Sequence, residues 1–399
     1  MDKAVRDAGI EDHIHFHHKV VAADWDTKAA CWHVTTSTPE GNKTFSARFL
    51  IVGTGYYNYN EPLATTIPGI DSFSGRVVHP QFWPDDLDYT GKNVVIIGSG
   101  ATAITLLPSM VEKGAGHVTM LQRSPSYLLP LPTKDRASAV LNSLLPVSWA
   151  SNILRFYNTF RTYLLYTLCK AFPKRAIAVL RKITEKLLPE GVSYDPHFKP
   201  RYDPWDQRLC VSPGGDFFQA LRKGKGSVVT DTIEQVTADS IRLTSGQELH
   251  PDIIVTATGL KICFAGNIAF SVDGGPTIDP SKKYVWKAAM IQDLPNLFYM
   301  LGYTNASWTL GADVAATLII RMLTRMAAQG KKYAVPRLTE SEAAKMQTKS
   351  MFDLSSTYLK KANRELPKAG TGQWEPRTHY FKDLYRVKWG DLDSGLEMR

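Results

Sequence analysis

Cysteine is scarce and scattered. The 399-residue chain has four, Cys31, Cys169, Cys210 and Cys263, and no two lie close together. That spacing excludes a zinc knuckle, a redox CxxC pair and a disulfide framework. The expected compartment is the reducing cytoplasm. A long apolar run is also missing. The most apolar stretch, 149–172, is interrupted by Arg155, Arg161 and Lys170, so a spanning helix is excluded. It reads as part of a packed helical insertion, with weak membrane-surface association as the secondary reading. The opening Met1-Asp-Lys-Ala-Val-Arg leads into mixed polar sequence, so no signal peptide is expected. No recognised nucleic-acid module accompanies the net charge of +9. The charge therefore fits a soluble enzyme handling an anionic cofactor, not a nucleic-acid binder.

What is present alternates strand and helix patterns. Residues 2–9 suit a short helix. His13 to Asp24 reads as a strand, with His13, His15 and His17 on one face. No Cys or carboxylate stands at ligand spacing, so a solvated or cofactor-flanking strand is expected there and no metal site. Trp32–Thr36 and Thr44–Val52 alternate around Pro39-Glu40-Gly41-Asn42, a hairpin or meander, and the second strand runs into Gly53-Thr54-Gly55. Residues 92–97 are apolar on both faces, as a buried parallel strand requires. A helix with Ile104, Leu107, Met110 and Val111 on one face and a strand at 117–122 complete a βαβ unit. A helical insertion is expected over 136–192, and an ordered loop over 194–216. Strands follow near 228–230, 241–243, 252–256 and 295–301, and a helix over 311–328.

The turn Gly98-Ser99-Gly100-Ala101-Thr102-Ala103 carries the first chemistry. The first Gly makes a tight turn, the second admits a pyrophosphate, and the small Ala103 lets helix and strand pack closely. The helix N-terminus faces the anion. The strand before it and the helix after it make this a dinucleotide site. After the second strand stands Arg123-Ser124, where an acid would select a ribose hydroxyl. A guanidinium and a hydroxyl there favour the 2′-phosphate of NADPH.

Before this turn lie Phe73, Gly75, His79, Trp83 and Pro84. They match every position of the signature FxGxxxHxxxW followed by Pro or Asp. On that signature the chain resembles the flavin-dependent monooxygenases, specifically the type I Baeyer–Villiger class. Sister N- and S-oxygenating enzymes carry Tyr or Phe at the position of Trp83. The runs around Arg208, Asp252–Gly259 and Gly302–Leu310 resemble the ethionamide-activating branch. The resemblance covers nearly the whole chain.

It implies an α/β fold with two dinucleotide-binding domains of the Rossmann-like, glutathione-reductase type and a helical insertion. The implied division is 1–84 for the first part of an FAD domain and connector, and 85–135 for the first part of an NADP domain. The insertion takes 136–193, the rest of the NADP domain 194–251, and the FAD-domain return with C-terminal helices 252–399. It further implies FAD reduced by NADPH, with O2 used to convert a small-molecule ketone to an ester or to oxygenate a sulfur or nitrogen compound. Arg208 matches the essential arginine, beside flavin and nicotinamide. Gln207 stands where relatives often have a Lys that contacts the NADP phosphate. His79 takes a conformational role in the connector. Thr54, Gly55, Thr258 and Gly259 match interdomain turns beside the cofactors, and Val20 a backbone contact to the FAD adenine. Asn305 and Ser307 fall where the final helix approaches the flavin ring.

One feature of the family pattern is absent. Such an enzyme uses two glycine fingerprints, and this sequence holds one. The expectation is an N-terminally truncated FAD domain with an open sheet, weak FAD binding and low turnover, or at the extreme a silent NADP-binding scaffold. A disulfide reductase relative is the second enzyme reading, opposed by the missing CxxC.

Overall fold

The computed structural model describes residues 2–133, 136–352 and 365–399. After α1 (Asp2–Ala8), a three-stranded antiparallel meander forms from β1 (Lys19–Asp26), β2 (Cys31–Thr38) and β3 (Gly41–Ala47). The strand expected from His13 does not start until Lys19. The β1–β2 pairing ends at Lys19 opposite Ser37, where the partner chain is already turning into β3. Upstream residues have no ladder to join. His13 closes a 3-10 turn, His17 has φ 58°, and His15 packs on His18 and Phe45. The shared histidine face is not formed.

The single strand expected over Thr44–Val52 is two strands in different sheets. β3 stays in the meander, and β4 (Leu50–Val52) pairs in parallel with a later strand, β20. Asn296, fully buried, fixes the switch. Its side-chain amide donates to the Arg48 carbonyl at 2.9 Å, and the Leu50 N–H donates to the Asn296 backbone carbonyl at 3.0 Å. The far edge of β4 is unpaired among the described residues, and Ile51 on it is half-exposed.

β5 (Tyr57–Pro62) and β6 (Arg76–Val78) lead to β7 (Asn93–Ile97), α2 (Ala101–Glu112) and β8 (His117–Gln122). β9 (Leu128–Leu131) opens the insertion, which holds α3 (Arg136–Leu144), α4 (Val147–Ala171) and α5 (Pro173–Leu187). β10 (Cys210–Pro213) pairs in parallel with β9 and closes the insertion's neck. Then come α6 (Asp216–Arg222), β11 (Gly226–Thr230), the small meander β12 (Ile233–Val236), β13 (Ile241–Leu243) and β14 (Glu248–Leu249), and β15 (Ile253–Thr256).

The central sheet is parallel throughout, in the order β11-β8-β7-β15-β6. Period-two alternation places Val94 and Ile96 with α2 and α6 on one face. Val95 and Ile97 face the β12–β14 meander on the other. Burial on both faces explains the unbroken apolar run of β7. β6 and β15 belong to this sheet, so it reaches beyond the expected limits at residues 84 and 251.

The remaining strands are β16 (Leu260–Ile262), β17 (Ala269–Val272), β18 (Val285–Trp286), β19 (Met290–Ile291) and β20 (Leu297–Tyr299). α7 (Trp308–Ala328) begins three residues before the expected 311. It buries Val314, Leu318, Ile319, Met322 and Met326. β21 (Ala334–Pro336), α8 (Glu340–Lys345), α9 (Tyr380–Trp389) and β22 (Leu396–Met398) complete the described chain. The β21–β22 pair ties down the C-terminal residues.

Candidate functional site

The glycine turn joins β7 to α2 at the point where the sheet order changes direction, between β8 and β15. Ligands bind open α/β sheets at such points, beyond the carboxyl ends of the strands. Gly98 has φ 145°, and a Cβ there would stand 2.3 Å from the Ala257 carbonyl oxygen at the end of β15. It also donates to the Leu121 carbonyl at 2.8 Å, which pins the turn between both neighbouring strands. Gly100 differs: nothing lies within 4 Å of an added Cβ. The space before α2 is open at the position a pyrophosphate takes. Ala103 is fully buried in the helix–sheet contact, while Ala101 and Thr102 are exposed.

Ser99 donates to the Ser124 carbonyl at 2.7 Å, drawing the first turn to the end of β8. Gln122 anchors that end by donating to the His197 carbonyl and to Thr230, at 2.7 and 2.9 Å. Arg123 is left exposed, with no ion pair to any described residue. The open glycine turn, the 12-residue helix behind it and the free guanidinium beside Ser124 fit an NADP phosphate group.

The signature residues divide between the two faces of the sheet. Phe73 is buried with Val95, Ile97 and Ile254, and Gly75 sits against the Asp252 carbonyl before β15. Trp83 packs on the α2 side and meets Tyr89 edge-on at 6.2 Å. Pro84 follows it, half-buried. His79 lies between. Its Nδ1 accepts from the Gln81 N–H at 3.2 Å, and Gln81 donates to the Asn58 carbonyl at 2.7 Å. Burial lowers the His79 pKa below the ordinary imidazole value, with the Gly259 backbone pulling the other way. Thr258 and Gly259 are half-buried at the exit of β15.

Arg208 lies on the loop before β10. The contacts that hold that loop to α4 include the Lys170–Asp206 ion pair at 2.7 Å and Trp205 edge-on to Tyr166 at 5.6 Å. From there Arg208 donates through Nη2 to the Tyr303 carbonyl at 3.3 Å, in the loop between β20 and α7. The Arg377 guanidinium stands over the Tyr303 ring, 5.5 Å from its centroid. Its Nε and Nη2 are buried without a partner among the described residues. Asn305 donates to the Thr378 carbonyl at 2.9 Å, and Ser307 meets Thr309 at 2.9 Å at the start of α7.

A cleft of about 700 Å³ opens here between α4 and α7. Asn158, Thr159 and Thr162 line one wall, and Met300, Ser307 and Leu310 the other. Arg155 of α4 and Tyr380 of α9 both bind Asp313 of α7, at 2.9 and 2.7 Å. The insertion thus forms a wall of the cleft.

Thr54 and Gly55 follow β4. The Tyr299 hydroxyl donates to the Gly55 carbonyl at 2.8 Å and sets that turn against β20. Val20 sits half-buried in β1 at a bulge, packed on the same core. Among the described residues no second glycine turn joins a parallel strand to a helix as Gly98–Ala103 does.

The Ser99–Ser124 hydrogen bond brings the Gly98–Ala103 turn beside Arg123 and Ser124, and Tyr303, Arg377 and Asp383 join Arg208. Tyr303 lies inside the recognised run Gly302–Leu310. Asp383 and Arg377 carry no local signal, because their partners are some 80 and 74 positions away.

Comparison with known proteins agrees with this architecture. A family model described as pyridine nucleotide-disulphide oxidoreductase matches residues 10–139. All four cysteines are free and separate, so the match reflects the dinucleotide fold and not a redox pair. The FAD-containing monooxygenase EthA of Mycobacterium tuberculosis is 41% identical over 387 residues, 97% of this chain and 78% of that protein. The probable FAD-binding monooxygenase AlmA of Acinetobacter baylyi is 42% identical over 398 residues, 99% of this chain and 79% of that protein. Among solved structures, OTEMO in complex with FAD and NADP matches all of this chain and 84% of its own, with TM-score 0.70 and 18% identity. Oxidised steroid monooxygenase bound to NADP matches with TM-score 0.72 and 20% identity, over all of this chain and 83% of its own. With two relatives above 40% identity along almost its whole length, the chain belongs to the FAD-containing monooxygenases.

Proposed function

We propose that the protein is an NADPH- and FAD-dependent monooxygenase of Baeyer–Villiger type. It would insert one oxygen of O2 into a small-molecule ketone to give an ester, and oxygenate sulfur or nitrogen compounds as a related activity. The observation that carries this reading is the reach of Arg208 from the NADP-side loop to the Tyr303 carbonyl before α7. A permanent cation is thereby held between the elements expected to carry the two cofactors. Trp83 in the signature separates the ester-forming class from its sisters.

The chain's own residues have distinct tasks. Gly98, Gly100 and the α2 N-terminus receive the NADPH pyrophosphate, while Arg123 and Ser124 take its 2′-phosphate. Arg208 stabilises negative charge that develops on oxygen, beside the cleft that α4 borders. Arg377 adds a second cation behind Tyr303. His79, neutral at pH 7 through burial, positions the connector and moves no proton. FAD, when bound, supplies the hydride acceptor and the oxygen activation. Thr54, Gly55 and Asn305 would meet it, with Val20 on the adenine side.

The test is product analysis with NADPH, supplied FAD and a panel of ketones and sulfides. Ester or sulfoxide should form, and Arg208→Ala should lower product formation at least about 100-fold while NADPH still binds. NADPH binding without any oxygenated product, or full activity in Arg208→Ala, would sink the reading.

A further inference from the structure

The insertion helix α4 has two working faces. Asn158, Thr159 and Thr162 look into the cleft. Trp149, Ile153, Phe156, Phe160 and Leu164 recur at helical spacing on the opposite side, and all five are exposed. Trp149 is 68% exposed and Phe156 62%. Burial in the protein does not explain this stripe: the buried residues of α4 are Ala150, Thr159 and Cys169.

A second helix continues it. Phe381 of α9 touches Phe156, Phe160 and Tyr163 of α4, with centroids 6.1, 6.5 and 5.6 Å apart. Further along α9, Tyr385 and Trp389 meet at a tilt, 5.3 Å between centroids, and stand 62% and 67% exposed. Two helices 200 residues apart in sequence therefore present one continuous aromatic surface. An apolar patch of this kind marks an interaction site.

Charge identifies the partner. Residues 147–184 contain seven Lys or Arg and no Asp or Glu; Arg155, Lys170 and Arg181 pair with Asp313, Asp206 and Glu185, which leaves Arg161, Lys174, Arg175 and Lys182 as the segment's net positive charge. Arg161 lies over the Tyr157 ring at 5.6 Å and Arg175 over Phe172 at 5.4 Å, beside the stripe. Lys388 lies over Trp389 at 5.7 Å, and Lys382 is exposed on the same helix. Trp, Tyr and Phe flanked by Lys and Arg are the composition that seats a helix at the headgroup level of a bilayer. Basic residues near an anionic leaflet add electrostatic attraction. No helix among the described residues is long and apolar enough to cross a membrane.

We infer that α4 and α9 together form a docking face for an anionic lipid surface, on which the protein lies with α4 parallel to the membrane plane. The packed insertion expected from sequence and the surface-lying helix are thus two faces of one element.

Flotation with vesicles of phosphatidylglycerol and phosphatidylcholine, against phosphatidylcholine alone, tests this on the full chain. Binding to the anionic vesicles should be at least tenfold tighter, should weaken with salt, and should shift Trp fluorescence to the blue. Phe156→Ser and Trp389→Ser alter exposed side chains, so their melting temperatures should match the parent while vesicle binding falls at least tenfold. Arg161→Glu with Lys388→Glu should abolish the anionic preference. No binding to anionic vesicles, or equal binding by these variants, overturns the inference. So does a dimer in light scattering that Trp389→Ser dissociates, since a second copy would then own the face.

Discussion

The Tyr303 hydroxyl donates to the buried carboxylate of Asp383 at 2.9 Å, joining the loop before α7 to α9. Asp383 also accepts from the Thr378 N–H and hydroxyl, at 3.0 and 2.9 Å. The other end of Tyr303, its carbonyl, accepts from Arg208. Burial and the adjacent carboxylate raise the phenol's pKa well above its usual value, so it stays a donor at any working pH. Tyr303→Phe should cost about 1–3 kcal/mol of stability, since it leaves a buried acceptor short of one donor. With the anchor loosened, kcat should fall several-fold while KM for NADPH holds. Thermal melting and steady-state kinetics give both numbers, and a change confined to KM would show that Tyr303 does not position Arg208.

The two glycines of the turn should separate folding from binding. Gly98→Ala combines a left-handed φ with a Cβ 2.3 Å from the Ala257 carbonyl. Strain and overpacking together should cost about 2–5 kcal/mol and lower the melting temperature. Gly100→Ala meets nothing in the protein, so its melting temperature should stay within a degree or two of the parent. The added methyl instead occupies the ligand's approach, and NADPH affinity should fall at least tenfold. Calorimetric titration of both variants checks the contrast.

Local periodicity made most of the dinucleotide domain legible. The β7–α2–β8 unit has apolar spacing, a glycine turn and closing strand in one 30-residue window. What the sequence hid was pairing decided at long range. Thr44–Val52 carries no turn residue, and Asn296, some 248 positions from Arg48, holds the point where it splits between two sheets. The histidines before β1 alternate like a strand and have no partner to pair with. Arg208 was visible through a family motif, whereas its neighbour Arg377 sits in a stretch with no repeat, motif or period. The exposed stripe of α4 was visible as an apolar run, but its orientation away from the cleft depends on how the neck β9–β10 aims the insertion.

Cofactor choice rests on Arg123. It emerges from β8 with no ion pair to a described residue, while Gln122 holds the strand end beneath it. A 2′-phosphate offers bidentate acceptors that a 2′-hydroxyl does not. Arg123→Ala should raise KM for NADPH about 10- to 100-fold and leave KM for NADH within about twofold. NADPH oxidation and NADH oxidation, measured side by side, decide it. Equal losses for both would assign Arg123 to the shared pyrophosphate or to the fold.

Lys287 should impose a pH dependence on stability that is independent of catalysis. Burial, then repulsion from Arg386, pull its pKa down from 10.5 to about 8, against the attraction of Asp391. Its ammonium donates to Gln373 at 2.7 Å and lies over the Trp286 ring at 5.3 Å. Between about pH 8 and 10.5 the unfolded chain holds the proton that the folded chain has released. Stability therefore rises with pH across that window, by up to about 3 kcal/mol from this group, and is lost again as pH falls to 8. Lys287→Met keeps the apolar stem against Trp286 and removes the proton. Its melting temperature at pH 7.5 should equal or exceed the parent's, and its rise between pH 8 and 10 should flatten. A parent whose stability falls steadily over that range, with the variant following in parallel, would show that Lys287 stays charged in the fold.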